Sequence, residues 1–299
     1  MMSFDNPRFG RMIPAMVTPF DEDLELDLDR AQQLADRLVS GGSDSLIING
    51  TTGESPTVFY PQKIDLFKAV VEAVGGRIPV IANVGDNCTA DTVDFLQDVQ
   101  KLGVDGFMCV VPYYNKPPQE GIYEHFKTIS AASEKPIILY NIPGRCVINM
   151  TADTTCRLAA DCENIVAVKE ASGNLEQIAQ IIDNTTDDFD VYSGDDSATY
   201  EIMRIGGSGV ISTIGNVAPE RMKEIVELCA ERRWDDAIAA NAALLPLMDG
   251  LFETSNPILV KEALKLIGFP VGGVRLPLVP ATKEQSDRLA LIMKECGVL

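Results

Sequence analysis

Eight short apolar runs, each followed by a longer amphipathic stretch, constrain this chain more than any other feature. The runs are MIPAMVT (12–18), DSLIING (44–50), IPVIANV (78–84), GFMCVVP (106–112), PIILYNI (136–142), IVAVKEA (165–171), FDVYSGD (189–195) and SGVISTI (208–214). Each is short enough for a strand and nearly continuous in apolar residues, the pattern of parallel strands buried on both faces. Between them, apolar residues recur three and four positions apart. LDRAQQLADRLVSGG does so and stops at Gly41-Gly42, where glycine can end a helix. KIDLFKAVVEAVGG and DTVDFLQDVQKLG follow the same plan. This alternation predicts an α/β chain folded as a closed (β/α)₈ TIM barrel. An open doubly wound sheet is the weaker alternative, because the repeat is regular and no GxGxxG motif is present. After the eighth run the pattern is helical throughout. PERMKEIVELCAERR supplies the eighth barrel helix, and three more stretches follow it: WDDAIAANAALLPLMDGLF, NPILVKEALKLIG and TKEQSDRLALIMKECGVL. The expected division is a barrel over 1–224 and a C-terminal helical domain over 225–299, packed on it without a linker.

Composition narrows the function. The net charge is -19, which repels phosphate backbones and argues against a nucleic-acid partner. No apolar run reaches the roughly 18 residues that cross a bilayer. The N-terminal MMSFDNPRFGRM lacks the apolar stretch of a secretion signal, so a cytoplasmic location is expected. Seven cysteines without CxxC spacing read as reduced thiols, with Cys109 and Cys146 as small buried hydrophobes. The single histidine, His125, sits in a helix-like stretch where a structural or surface role is expected. One histidine cannot build a multi-histidine zinc site, so neither a metal nor a cofactor is expected.

In a barrel of this kind, chemistry gathers at the C-terminal ends of the strands. There the chain places Thr51 and Thr52 after the second strand, Tyr113 and Tyr114 after the fourth, Tyr140 and Arg145 at and after the fifth, and Lys169 on the sixth. Lys169 is the outlier, since the other lysines fall on amphipathic helices or loops where water can reach them. A lysine on a strand buried on both faces loses hydration, its pKa falls, and the neutral amine can attack a carbonyl. An ion pair with Glu170 is opposed by the pleat, which turns neighbouring side chains to opposite faces. These residues therefore predict that Lys169 attacks a ketone carbonyl and forms a Schiff base. Tyr140 would relay protons in the absence of histidine. The Gly50-Thr51-Thr52-Gly53 turn could hold a carboxylate on backbone N–H groups, and Arg145 could bind one through its fork. Asp195 and Asp196 are expected to cap a helix beginning at Ser197.

The motifs AMVTPF, GTTGES, PYYNKPPQEGIYEHF, YNIPGR, VKEASGN, SGDD and GVIS stand in order across nearly the whole chain. With them the chain resembles the dihydrodipicolinate synthase and N-acetylneuraminate lyase family, and within it the synthase branch. The resemblance implies a barrel with a C-terminal helical domain, assembled as a homotetramer of two tight dimers. It implies that Lys169 forms the imine with pyruvate. Tyr140, Thr51 and a Tyr114 from the neighbouring subunit would form the proton relay. Thr52 would hold the pyruvate carboxylate, Gly194 and Ile211 would line its pocket, and Arg145 would guide aspartate semialdehyde. The implied reaction makes 4-hydroxy-tetrahydrodipicolinate for lysine and diaminopimelate synthesis. The alternatives are N-acetylneuraminate lyase or a 2-keto-3-deoxy sugar acid aldolase using the same lysine, and a non-catalytic barrel that binds keto acids. Two departures stand out. Cys146-Val147 follow Arg145 where many synthases carry Thr-Gly, which bears on the second substrate. Where the family's lysine-feedback site uses histidines, this chain has Tyr60 and Lys63, and a cationic Lys63 is expected to make lysine inhibition weak or absent.

Overall fold

The computed structural model describes residues 7–299. Eight strands are arranged in one sheet: β1 Met12–Pro14, β2 Leu46–Ile48, β3 Val80–Asn83, β4 Gly106–Val110, β5 Ile137–Asn141, β6 Ile165–Glu170, β7 Asp190–Ser193 and β8 Gly209–Ser212. Strands β2 to β8 pair in parallel with their sequence neighbours, and β1 pairs with β8 through Met12↔Val210 and Ile13↔Ile211. The seam between β1 and β2 closes at a parallel bridge, Ala15↔Ile47, where the Met16 N–H donates to the Ile47 carbonyl at 2.9 Å. All eight expected runs thus contain strands of the predicted barrel. The helices that return the chain are α1 Leu28–Ser40, α2 Tyr60–Val74, α3 Thr89–Val99, α4 Gln119–Ser130, a single turn α5 Pro143–Cys146, α6 Ala152–Asp161, α7 Leu175–Asn184, α8 Thr199–Arg204 and α9 Pro219–Ala230. Several start where a side chain replaces a missing acceptor. Asp27 accepts from the Arg30 N–H, Thr151 from Thr154 and Asn174 from Gln177.

Two apolar layers follow from the strand pleat. Ile13, Ile47, Ile81, Met108, Ile138, Ala167, Tyr192 and Ile211 fill the barrel interior. Leu34, Leu38, Phe67, Leu96, Phe107 and Val168 fill the space between sheet and helices. Burying a large aliphatic side chain stabilises by about 1.5–3 kcal/mol, so the interior is a packed core and not a pore. The register shifts between β5 and β6 at Ile137/Ile138, and Val166 and Ala167 both join the interior cluster as a result.

Helix α9 runs through residue 224, and α10 Trp234–Gly250, α11 Ile258–Leu266 and α12 Lys283–Glu295 complete the chain. The region after α11 returns to the barrel, where the Phe20 N–H donates to the Val271 carbonyl at 3.0 Å. His125 is buried in α4, its Nδ1 2.9 Å from the Thr89 hydroxyl, and burial lowers its pKa to about 4, so it serves packing as a neutral ring. All seven cysteines are free, and Cys109 and Cys146 are buried as expected. Among the described residues no helix is long and apolar enough to cross a membrane.

Candidate active site

The register of β5, β6 and β7 sets Tyr140, Lys169 and Tyr192 side by side. Lys169 points inward. Its neighbour Glu170 points outward, where it accepts from Gln177 Nε2 at 2.9 Å, from the Ser172 N–H at 2.9 Å and from Asn141 Nδ2 at 3.1 Å. The Lys169–Glu170 ion pair is therefore excluded by the pleat. Lys169 is only 6% exposed. Its Nζ lies 4.4 Å from the centroid of the Tyr140 ring and has no hydrogen bond or ion pair among the described residues. Burial brings its pKa down to about 8; Asp196 opposes the shift and Arg145 adds to it. At pH 7 roughly a tenth of this amine is neutral, against a few parts in ten thousand for an ordinary lysine. Gly194 makes room for it: a Cβ there would stand 2.7 Å from Ala171 Cβ and 3.2 Å from Lys169 Cε.

Burial raises the Tyr140 pKa to about 12, while a hydrogen bond with Thr51 and the Arg145 charge pull the other way. The phenol therefore stays protonated at neutral pH and can donate or pass a proton without ionising first. Thr51, Tyr140 and Arg145 line a cavity of about 260 Å³ together with Tyr113, Ile142 and Cys146. Arg145 sits exposed on the single turn α5, and its guanidinium has no hydrogen bond or ion pair among the described residues. Thr52, Lys169 and Ile211 are buried and Gly194 is half-buried, and none of the four forms part of that lining.

The turn after β2 is tightly wound. The Gly53 and Ser55 N–H groups donate to the Gly50 carbonyl at 3.0 and 3.2 Å, and Glu54 donates to Thr51 at 3.0 Å. The N–H groups of Thr51 and Thr52 have no backbone acceptor among the described residues, leaving two donors for an anion. Tyr114 is not brought to this cavity within the chain. It is 88% exposed and adopts φ +74°, a left-handed conformation that costs a non-glycine residue roughly 1 kcal/mol.

Two expectations need correction. Asp195 and Asp196 do not cap one helix. Asp195 Oδ1 accepts from the Ser197 N–H at 3.0 Å, but Asp196 Oδ2 accepts from Thr213 and Ile214 at 2.9 and 2.8 Å and so caps the turn after β8. Helix α8 begins only at Thr199, with Ala198 before it. The second correction concerns the lysines. Lys261, on α11, is as deeply buried as Lys169 and pairs with Glu54 at 2.6 Å. Glu54, Lys261 and Asn256, which donates to Thr52 Oγ1 at 2.8 Å, were not anticipated as part of the mouth. The available signal was Lys261 itself: it lies three residues from both Ile258 and Leu264, on the apolar face of its helix.

Fold and site together define a (β/α)₈-barrel lyase. The chain belongs to the dihydrodipicolinate synthetase family, whose model matches residues 8–296. It is 52% identical to the 4-hydroxy-tetrahydrodipicolinate synthase of Moorella thermoacetica, over 98% of this chain and 100% of that one. A crystal structure of DHDPS from Cyanidioschyzon merolae, with lysine bound, superposes with a TM-score of 0.97 at 44% identity, covering 98% and 100% of the two chains. The dihydrodipicolinate synthase of Acinetobacter baumannii, complexed with pyruvate, gives 0.95 at 36% identity over 97% and 100%.

Proposed function

We propose that this chain condenses pyruvate with L-aspartate 4-semialdehyde to give 4-hydroxy-tetrahydrodipicolinate, a step of lysine and diaminopimelate synthesis. The observation that carries the reading is the inward, unpaired and desolvated amine of Lys169 beside the protonated Tyr140. The neutral amine attacks C2 of pyruvate, and loss of water leaves a protonated imine. The imine draws electrons from C3, which gives up a proton and becomes the nucleophilic carbon of an enamine. That carbon bonds to the aldehyde carbon of the second substrate, whose oxygen takes a proton and becomes the hydroxyl. The amino group of the second substrate then adds to C2 and displaces Lys169, closing the ring and returning the free amine. Tyr140, linked to Thr51, moves the protons. The N–H groups of Thr51 and Thr52 and the Thr52 hydroxyl hold the pyruvate carboxylate. The unpaired Arg145 fork at the mouth favours an aldehyde that carries its own carboxylate over a sugar polyol.

The subunits assemble as a homotetramer of two tight dimers in the cytoplasm. Tyr114, outward and strained, reaches into the neighbouring mouth and completes its relay. The reading is tested by borohydride reduction in the presence of pyruvate, followed by peptide mapping. A pyruvyl adduct confined to Lys169 is expected. An unmodified Lys169, or an adduct elsewhere, refutes the mechanism.

A further inference from the structure

One side chain of the C-terminal helical region hydrogen-bonds Thr52 in the proposed carboxylate-binding turn. Asn256, just before α11, donates from Nδ2 to Thr52 Oγ1 at 2.8 Å, and the two residues are 204 positions apart in sequence. Both are buried. The other amide atom, Asn256 Oδ1, is buried without a hydrogen-bond partner, so the contact with Thr52 is the one the amide makes. Leaving such an oxygen unpaired is a desolvation cost that an apolar residue at this position would not incur.

The frame around the contact is rigid. Glu54 holds the left-handed end of the same turn at φ +56°. Its carboxylate pairs with Lys261 at 2.6 Å and accepts from the Arg275 N–H at 2.9 Å. Lys261 also donates to the Gly273 carbonyl at 2.7 Å. The α11 region therefore fixes where the turn lies as well as what Thr52 meets.

A hydroxyl has one hydrogen to donate and two lone pairs to accept with. The Asn256 amide occupies a lone pair of Thr52, so the Thr52 hydrogen is free for another acceptor. Beside it are the N–H groups of Thr51 and Thr52, neither of which has a backbone acceptor among the described residues. Three donors suit a carboxylate, which only accepts. We propose that Asn256 is a positioning residue that sets the polarity of the Thr52 hydroxyl, so that it donates to the carboxylate of the bound 2-keto acid. The inference rests on the pyruvate reading above and adds to it a role for the C-terminal region in substrate binding.

The test uses the full-length protein and measures borohydride-trapped adduct on Lys169 against pyruvate concentration. Asn256→Asp replaces the donor with a carboxylate that takes the Thr52 hydrogen for itself. The half-saturating pyruvate concentration is expected to rise roughly 100-fold, and with Asn256→Ala roughly tenfold, as loss of a hydrogen bond to a charged group implies. Half-saturation by aspartate semialdehyde stays at the wild-type value, which a general loosening of the mouth would not allow. In a Thr52→Val background, Asn256→Ala has no further effect, because there is no hydroxyl left to orient. This cycle needs only the milder truncation and serves if Asn256→Asp fails to fold. Wild-type half-saturation in Asn256→Asp, or additive effects of Asn256→Ala and Thr52→Val, overturns the inference. A wild-type protein that pyruvate fails to label overturns the underlying reading instead.

Discussion

Lys169 and Lys261 are perturbed alike and placed to do opposite things. Burial lowers both pKa values to about 8. Each ammonium lies over an aromatic ring, Lys169 4.4 Å from the centroid of Tyr140 and Lys261 4.2 Å from that of Phe20. The difference is in the hydrogen bonds. Lys261 donates to Gly273 and pairs with Glu54, so its nitrogen is held and its charge answered. Lys169 has neither kind of contact among the described residues, and its nearest carboxylate influence, Asp196, directs an oxygen to two backbone N–H groups. A depressed lysine pKa thus marks desolvation; a free nitrogen facing the barrel mouth is what permits nucleophilic attack.

The widest separation between the two sites comes from removing each amine. Lys169→Ala is expected to lower turnover by about 10³-fold or more, since the covalent route is lost, while the fold persists. Lys261→Met is expected to act on stability. It strands the Glu54 carboxylate in a dry interior, a loss of about 3–5 kcal/mol, and Lys261→Met with Glu54→Gln recovers part of it. Turnover with pyruvate and aspartate semialdehyde, beside denaturant unfolding, separates the two. Equal turnover losses in folded Lys169→Ala and Lys261→Met would erase the distinction.

That contrast also marks what the sequence conveys. The strands are legible because two-sided burial leaves continuous apolar runs, and Lys169 is legible because a cation interrupts one of them. Tyr140 and Thr51 follow from their places at strand ends. Lys261 interrupts a helix face instead, and an amphipathic helix usually has a wet side to which a lysine can be assigned. Its partner Glu54 lies 207 positions earlier, and Asn256 meets Thr52 over a similar distance. No local period encodes such a meeting; it exists only once α11 is folded against the barrel. Asp196 escaped for the same reason, because the backbone N–H donors of the turn after β8, which folding brings beside it, take its carboxylate in place of donors near Ser197.

The two lysines should also part under pH. Folded Lys169 releases its proton near pH 8, so the neutral fraction rises about tenfold per unit below that point and levels above it. The initial rate of trapped-adduct formation at low pyruvate is expected to follow this curve, and Lys261→Met should leave its midpoint unchanged. Stability responds with a definite sign. Between pH 8 and 10.5 the unfolded chain keeps a proton that folded Lys169 has lost, so stability increases with pH across that window. Lys169→Met is therefore expected to be more stable than wild type at pH 7, by roughly 1–3 kcal/mol, with the advantage gone by pH 10.5. Unfolding measured at the two pH values checks this; a destabilised Lys169→Met at pH 7 would mean that its ammonium has a partner after all.

A third lysine lies between these extremes and gives the smallest expected effect. Lys63 lines the same cavity as Tyr140, and its pKa is lowered by burial and raised by Asp86. Its Nζ stands 5.6 Å from the centroid of the Phe95 ring. Asp91 and Asp94 line the adjoining cleft with it, so the local charge is not set by Lys63 alone. As a half-buried cation it still competes with any amine for those carboxylates. Free lysine is expected to inhibit the wild type weakly or not at all, with no measurable inhibition at submillimolar concentration. Lys63→Met removes the competitor without opening Lys169 to water, and inhibition is expected to strengthen a few-fold, as an exposed-to-intermediate charge contact of about 1 kcal/mol implies. Rate measurements across lysine concentrations decide it. Strong inhibition of the wild type, unchanged in Lys63→Met, would show that the carboxylates of the cleft, and not its cation, govern what binds beside the mouth.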